Sequence, residues 1–166
     1  MKSLKYISFK YGYGKTTKKL KFILNDLPKP IVFTNGIFDI LHVGHIKYLN
    51  NSKNFGSSLI VGINSNISTK LLNKGDDRPI NDEIERAEVI SSLKSVDLCI
   101  IFNDATPENL IKIIHPDIYT KGQDYNKNTI TYISTLEKLS ITTYFIPLVI
   151  GKSSTKIIDK IKSIDK

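Results

Sequence analysis

The chain has 166 residues and a mass of 18.8 kDa, long enough for one domain to bury its own core without disulfide or metal staples. Its one cysteine, Cys99, lies in the apolar run "DLCIIF", and no run approaches the ~18 apolar residues of a membrane span, so a soluble cytoplasmic protein with no membrane partner is expected. The net charge is +8 and the isoelectric point about 9.4, yet the lysines are scattered and not interleaved with aromatics on one stripe, so no nucleic-acid partner is expected either.

Residues 1 to 29 stand apart as a polar, lysine-rich N-terminal extension that ends at "LPKP". Within it, "GYGKTT" (Gly12 to Thr17) imitates a phosphate-binding loop, but Phe9 occupies the position of the required first glycine and no buried strand precedes it. From residue 30 onward, apolar runs and helical patterns alternate. "PIVFT", "SSLIVGIN", "DLCIIF", "PDIYTKG" and "TTYFIP" read as short strands with few polar interruptions, as parallel strands buried on both faces require.

Between the strands, Val43, Ile46 and Leu49 recur on one helical face, followed later by Ile84, Ala87, Ile90 and Leu93 behind Asn81 as a helix cap. Thr106 before Pro107 predicts a further helix through Ile114. The last helix carries Ile157, Ile158, Ile161 and Ile164 on one stripe, with Ser153 or Ser154 as cap; "GKSS" at its start is no phosphate loop, because Ile146 stands where a glycine is required. Strand and helix in repeated alternation predict an α/β fold, a Rossmann-like doubly wound parallel sheet of about five strands spanning 30–166.

Ligands in such sheets bind outside the carboxyl ends of the strands, where helix N-termini present backbone N–H groups. That edge collects Asn35 to His45, the loop from Asn64 to Pro79, "TKGQDY", and "GKSST". Arg78 and Arg86 are the only arginines in a lysine-rich chain, which marks them for bidentate contact with phosphate or carboxylate; surface pairing with Asp76, Asp77 or Glu83 is the plainer alternative.

The densest constellation is "TNGIFDILHVGHIKYL", with His42 and His45 flanking Gly44 where a strand gives way to a helix. As metal ligands the pair lacks a third partner beyond His115 and Cys99, and as structural histidines it leaves the convergence of polar residues on one edge unexplained. Two imidazoles aimed from a helix start, with a glycine between them that lets oxygens approach the backbone, suit the binding of phosphates and the stabilisation of charge in their transfer.

This stretch resembles the signature of the HxGH nucleotidyltransferase superfamily, related to the HIGH class of aminoacyl-tRNA synthetases. With "NSNISTKLLNKGDDRPIN", the pair Glu85-Arg86, "DATPENLIKIIHPDIYTKGQDY" and "GKSSTKII", the chain from about Leu27 to its end is similar to the sugar-phosphate branch that makes ADP-activated heptose. The resemblance implies transfer of AMP from ATP to D-glycero-D-manno-heptose 1-phosphate with release of pyrophosphate, with Mg²⁺, by a homodimer. It also implies a stand-alone enzyme, since 166 residues leave no room for the sugar kinase to which this branch is often fused.

Carried over by position, the resemblance makes His42, His45, Lys74 and Arg86 catalytic, Lys74 from a mobile loop and Arg86 near the acceptor phosphate or pyrophosphate. Asn35, Gly36, Ile37, Phe38 and Gly44 would form the turn that approaches the nucleotide. Lys121, Gly122 and Asp124 would contact the nucleoside, and Ser153, Ser154 and Thr155 would hold phosphate. Asp39 would brace the turn and, with Arg78, serve the substrate.

Three departures stand out: Gln123 replaces a usual glycine, Ser154 a threonine, and Lys152 a frequent arginine. The alternatives are a cytidylyltransferase acting on glycerol 3-phosphate or a related alcohol phosphate, and a non-catalytic nucleotide-binding module.

Overall fold

In a computed structural model of the chain, residues 6–8, 13–72, 75 and 77–164 are described. The elements run β1 (Tyr6–Ser8), α1 (Tyr13–Asp26), β2 (Ile31–Gly36), α2 (Val43–Lys53), β3 (Ser58–Asn64), α3 (Asn66–Leu71), α4 (Glu83–Ser91), β4 (Leu98–Phe102), α5 (Glu108–Ile114), β5 (Ile118–Gly122), α6 (Ile133–Lys138), β6 (Thr142–Ile146) and α7 (Ser154–Ile164). The five strands expected from the apolar runs are present. A sixth, β1, joins them, and the sheet order is β1-β4-β3-β2-β5-β6 with every neighbour parallel.

The near-continuous apolar strands are explained by cover on both faces. Ile31, Phe33, Ile60, Leu98, Ile100, Phe102 and Tyr119 point to one layer, where they meet Leu20 and Leu24 of α1, Leu110, Ile111 and Ile114 of α5, and Leu136 of α6. The alternate residues Val32, Leu59, Val61, Ile63, Cys99 and Ile101 point to the other, against Tyr48 and Leu49 of α2 and Ala87 and Ile90 of α4. The N-terminal stretch thus contributes β1 to the sheet and α1 to the core. Leu20 is fully buried, so Leu20→Ala should lower unfolding stability by about 2–5 kcal/mol in urea titration; a loss below about 1 kcal/mol would show α1 to be dispensable.

Several helix details differ from the sequence expectation. Asp82, not Asn81, caps α4, in a capping box with Glu85. The cap of α5 is Pro107, with no side-chain bond, so Thr106 lies outside the helix. In α2 the buried face is Tyr48, Leu49 and Ser52, while Val43 and Ile46 are exposed. Of the α7 stripe only Ile158 is buried. The segment read as a loop after Asn64 contains α3, capped by Ser65 through a 3.0 Å bond from the Ser68 N–H. Among the described residues no helix is long and apolar enough to cross a membrane.

From β2 the chain steps to β3 and β4 on one side, then returns to β5 and β6 on the other. The reversal falls between β2 and β5, and a crevice outside the carboxyl ends of these two strands follows from it.

Candidate active site

A cavity of about 610 Å³ occupies that crevice, a size within the range of small-molecule sites. Its walls come from the turn after β2, the start of α2, the end of β5, the segment 129–132, and the loop entering α7.

His42 is the N-cap of α2. Its Nδ1 accepts the Gly44 N–H at 3.1 Å, which leaves Nε2 to carry the proton of the neutral ring. His45, one turn on, stacks on it with ring centroids 3.8 Å apart and meets Phe38 edge-on at 5.3 Å. A Cβ at position 44 would lie 2.9 Å from the His42 ring, so the glycine is required first by the capping imidazole itself. Burial, then the Lys152 ammonium, lowers the His42 pKa; burial, then His42, lowers that of His45 to about 4. Both rings are therefore neutral at pH 7, as hydrogen-bond donors or acceptors and not as fixed cations.

The sign of that shift has a consequence for stability. A histidine whose pKa is lower in the fold than in the unfolded chain contributes stability above pH ~6.5 and loses it as the pH falls toward 4. The stability difference between wild type and His45→Gln, followed by urea unfolding from pH 7.5 to 4.5, should shift in favour of the variant as the solution is acidified. A difference that does not vary with pH would contradict the buried neutral ring.

The turn between β2 and α2 is held from behind. Phe38 adopts φ +50°, a conformation uncommon for a bulky residue, and a Cβ at Gly36 would come within 2.8 Å of its ring. Asp39, buried, accepts the backbone N–H groups of Ile80 and Asn81 at 2.9–3.0 Å, while its own carbonyl accepts the Asn81 side-chain amide. Arg78 Nε lies 2.8 Å from the Asp39 carboxylate, off the line of a hydrogen bond, so the contact is one of charge.

Arg86 departs from the sequence expectation. It is 1% exposed and does not line the cavity: its guanidinium donates to the Ile37 and Asn81 carbonyls and to the Asn66 side-chain oxygen. Burial lowers its pKa and the carboxylates of Asp39, Glu83 and Asp82 offset part of that. It is a bolt behind the Ile37–Phe38 turn, and Arg78 pairs with the buried Asp39, where surface pairing was the plainer alternative.

Opposite the histidines, Lys121 Nζ donates to both the carbonyl and the side-chain oxygen of Asn35 at 3.1 Å and lies over the Tyr125 ring. Gly122 is confined: a Cβ there would meet the Asp124 carboxylate at 2.4 Å and Leu148 at 3.0 Å. Gln123 is exposed and has no positive φ, so the substitution of a glycine adds no backbone strain in this turn.

At the entry to α7, Ser153 caps the helix by accepting the Lys156 N–H, and Ser154 donates to the Ile40 carbonyl at 3.0 Å, tying the helix start to the turn. Both serines line the cavity; Thr155 is exposed and does not, contrary to expectation. Lys74 lies outside the described residues. The metal reading of the histidines loses its third partner, since His115 caps α5 ahead of β5, at the opposite edge of the sheet.

Lys152, noted in the sequence as standing for a frequent arginine, sits beside His42 in the cavity, and three residues not singled out there, Tyr48, Tyr125 and Tyr132, line the walls. Tyr48 donates to Thr34 Oγ1 at 2.6 Å, because the threonine proton goes to the Thr120 carbonyl; this pins α2 to β2 and β5. Burial raises the Tyr48 and Tyr132 hydroxyls to about 12, so both are protonated donors. The helical spacing of Tyr48 after His45 was the available signal.

Comparison with known proteins agrees with this geometry. Residues 33–160 match the Cytidylyltransferase-like family model. The chain is 45% identical over 152 residues to the bifunctional protein HldE of Nitratiruptor sp., covering 90% of this chain and 32% of that protein. It is 41% identical over 162 residues to HldE of Campylobacter jejuni, covering 98% and 34%. It thus spans about a third of the length of these curated relatives. Among solved structures it is similar to a lipopolysaccharide core biosynthesis protein from Thermoplasma volcanium, at 34% identity and TM-score 0.60 over 72% of this chain and 95% of that one. Pantothenate synthetase from Thermus thermophilus shares the fold at 14% identity, with a TM-score of 0.64 over 93% of this chain and 67% of that one.

Proposed function

Because the chain belongs to the cytidylyltransferase-like family of nucleotidyltransferases, we propose that its cavity transfers AMP from ATP to D-glycero-D-manno-heptose 1-phosphate, releasing pyrophosphate. The observation that carries this reading is the stacked pair of neutral imidazoles at the start of α2, facing a crevice bordered by Lys121, Lys152 and the start of α7. The loop "NKGDDRPIN" and the similarity to a lipopolysaccharide core biosynthesis protein support a heptose phosphate as acceptor. The single cysteine, buried in β4, suits a reducing compartment, and we place the enzyme in the cytoplasm.

In the transfer, a phosphate oxygen of the acceptor attacks the α-phosphorus, its bond to the bridging oxygen breaks, and pyrophosphate leaves in line. A phosphate monoester has a second pKa near ~6 and is largely dianionic at pH 7, so the nucleophile needs no general base. The histidines are then required as donors. His42 offers Nε2–H to the triphosphate, His45 is held beside it by stacking, and the N-termini of α2 and α7 add the positive ends of their dipoles. Lys152, beside His42, adds charge where the pyrophosphate develops its own.

Mg²⁺ bound with the triphosphate would neutralise part of that charge. The cavity's carboxylates are Asp39, whose oxygens are engaged by Ile80, Asn81 and Arg78, and Asp124. No cluster of three or more metal-ligating side chains occurs among the described residues. This donor set fits an ion delivered on the nucleotide and retaining its waters.

The test is pyrophosphate release in Mg²⁺ with ATP, CTP or GTP, each paired with heptose 1-phosphate or glycerol 3-phosphate. Release with ATP and the heptose alone is the expected result. Release with CTP and glycerol 3-phosphate would make the chain an alcohol-phosphate cytidylyltransferase, and silence in every pairing would favour a nucleotide-binding module.

A further inference from the structure

Behind the nucleotide wall, four side chains form one buried line. Lys121 Nζ and Tyr119 OH both meet Asn35 Oδ1, at 3.1 and 2.8 Å, and the Tyr119 and Tyr132 oxygens are 2.6 Å apart. The direction of every proton in it is determined. An amide oxygen only accepts, so Tyr119 gives its single proton to Asn35 and must take the proton of Tyr132. Tyr119 itself is fully buried, whereas Asn35, Lys121 and Tyr132 all border the cavity.

The consequence is an oriented amide. With its oxygen committed inward to two donors, Asn35 can present only its N–H₂ group to a ligand. Without the Tyr119 hydroxyl, one of the two bonds that set this orientation is gone, and the Lys121 ammonium shares its acceptor with a side chain free to turn. We propose that Tyr119 and Tyr132 are positioning residues for the nucleoside triphosphate, holding Asn35 as a donor and Lys121 beside it; this rests on the nucleotidyl-transfer reading above. Tyr132 lies outside every quoted motif, and Tyr119, although within "DATPENLIKIIHPDIYTKGQDY", never reaches the cavity surface.

Tyr119→Phe keeps the buried ring and removes only the hydroxyl, and Tyr132→Phe removes only the outer link. Affinity for the triphosphate the wild type uses best would be measured by calorimetry, alongside KM, kcat and thermal stability. Tyr119→Phe is expected to weaken nucleotide binding and raise KM roughly tenfold, with kcat within about threefold, and Tyr132→Phe to do the same to a smaller degree. In an Asn35→Ala background either change should have little further effect on affinity, because the relay acts through that amide.

Unchanged affinity in both single variants, or losses that simply add to that of Asn35→Ala, would overturn the proposal, whatever happens to the melting temperature. Should Tyr119→Phe fail to fold, Tyr132→Phe with its Asn35→Ala cycle decides by the same criteria. A wild-type chain that binds no nucleoside triphosphate would instead overturn the function on which the relay rests, so the two failures are distinct.

Discussion

His45→Ala lowers turnover by about 10² or more while the domain remains folded, the loss expected when a donor to developing charge is removed from a preorganised site. The ring borders the cavity on one side and His42 on the other, where the two stack at 3.8 Å. Removing it therefore also frees His42 from one of its supports, although the bond from the Gly44 N–H remains. The double variant His42→Ala/His45→Ala should for this reason be only slightly slower than either single one, as groups that act as a unit are far from additive. Steady-state pyrophosphate release with circular dichroism on the same samples checks both statements. Activity within about threefold of wild type in His45→Ala would remove the residue from the mechanism.

The second large effect is expected far from any ligand. Arg86→Ala leaves the Ile37 and Asn81 carbonyls and the Asn66 amide oxygen without their donor, and empties the volume of a side chain that is 1% exposed. Unsatisfied buried groups and a cavity together place the loss at about 3 kcal/mol or more, a fall in melting temperature on the order of 10 °C for a chain of this size. The turn bearing Phe38 at φ +50° would lose its rear support, so catalytic efficiency should fall as well. Arg86→Lys restores the charge but not the three-way fork and should recover only part of either loss. If Arg86→Ala melts with the wild type yet is inactive, the arginine faces substrate after all. Differential scanning fluorimetry and kinetics on one preparation separate the two roles.

What could be read in advance divides by the range of the interaction. The strands were legible because burial on both faces leaves an uninterrupted apolar run, and the histidine pair because the strand-to-helix junction and its glycine are local. Arg86 was singled out correctly as unusual, but its partners lie 5, 20 and 49 positions away, and no local pattern separates an arginine that grips carbonyls from one that grips phosphate. Asp39 is a similar case, since its partners Ile80 and Asn81 are brought to it only by the fold.

Val43 and Ile46 illustrate the opposite failure. They satisfy helical periodicity, yet the face that packs is the one carrying Tyr48, Leu49 and Ser52, because a hydroxyl network under α2 fixes which way the helix turns. Short amphipathic helices around polar clefts mislead periodicity arguments for this reason.

The position of β1 has a consequence for handling the protein. It pairs Tyr6 to Ser8 along Cys99 to Ile101 of β4, a strand whose sequence "LCIIF" is wholly apolar and β-prone. Shortened ahead of α1, the chain would present that strand's open hydrogen-bonding edge to its neighbours in solution, the kind of segment that seeds intermolecular sheets. Solubility on concentration, more than catalysis, is where such a truncation would first be felt, and a purification tag is better placed at the far end of the chain.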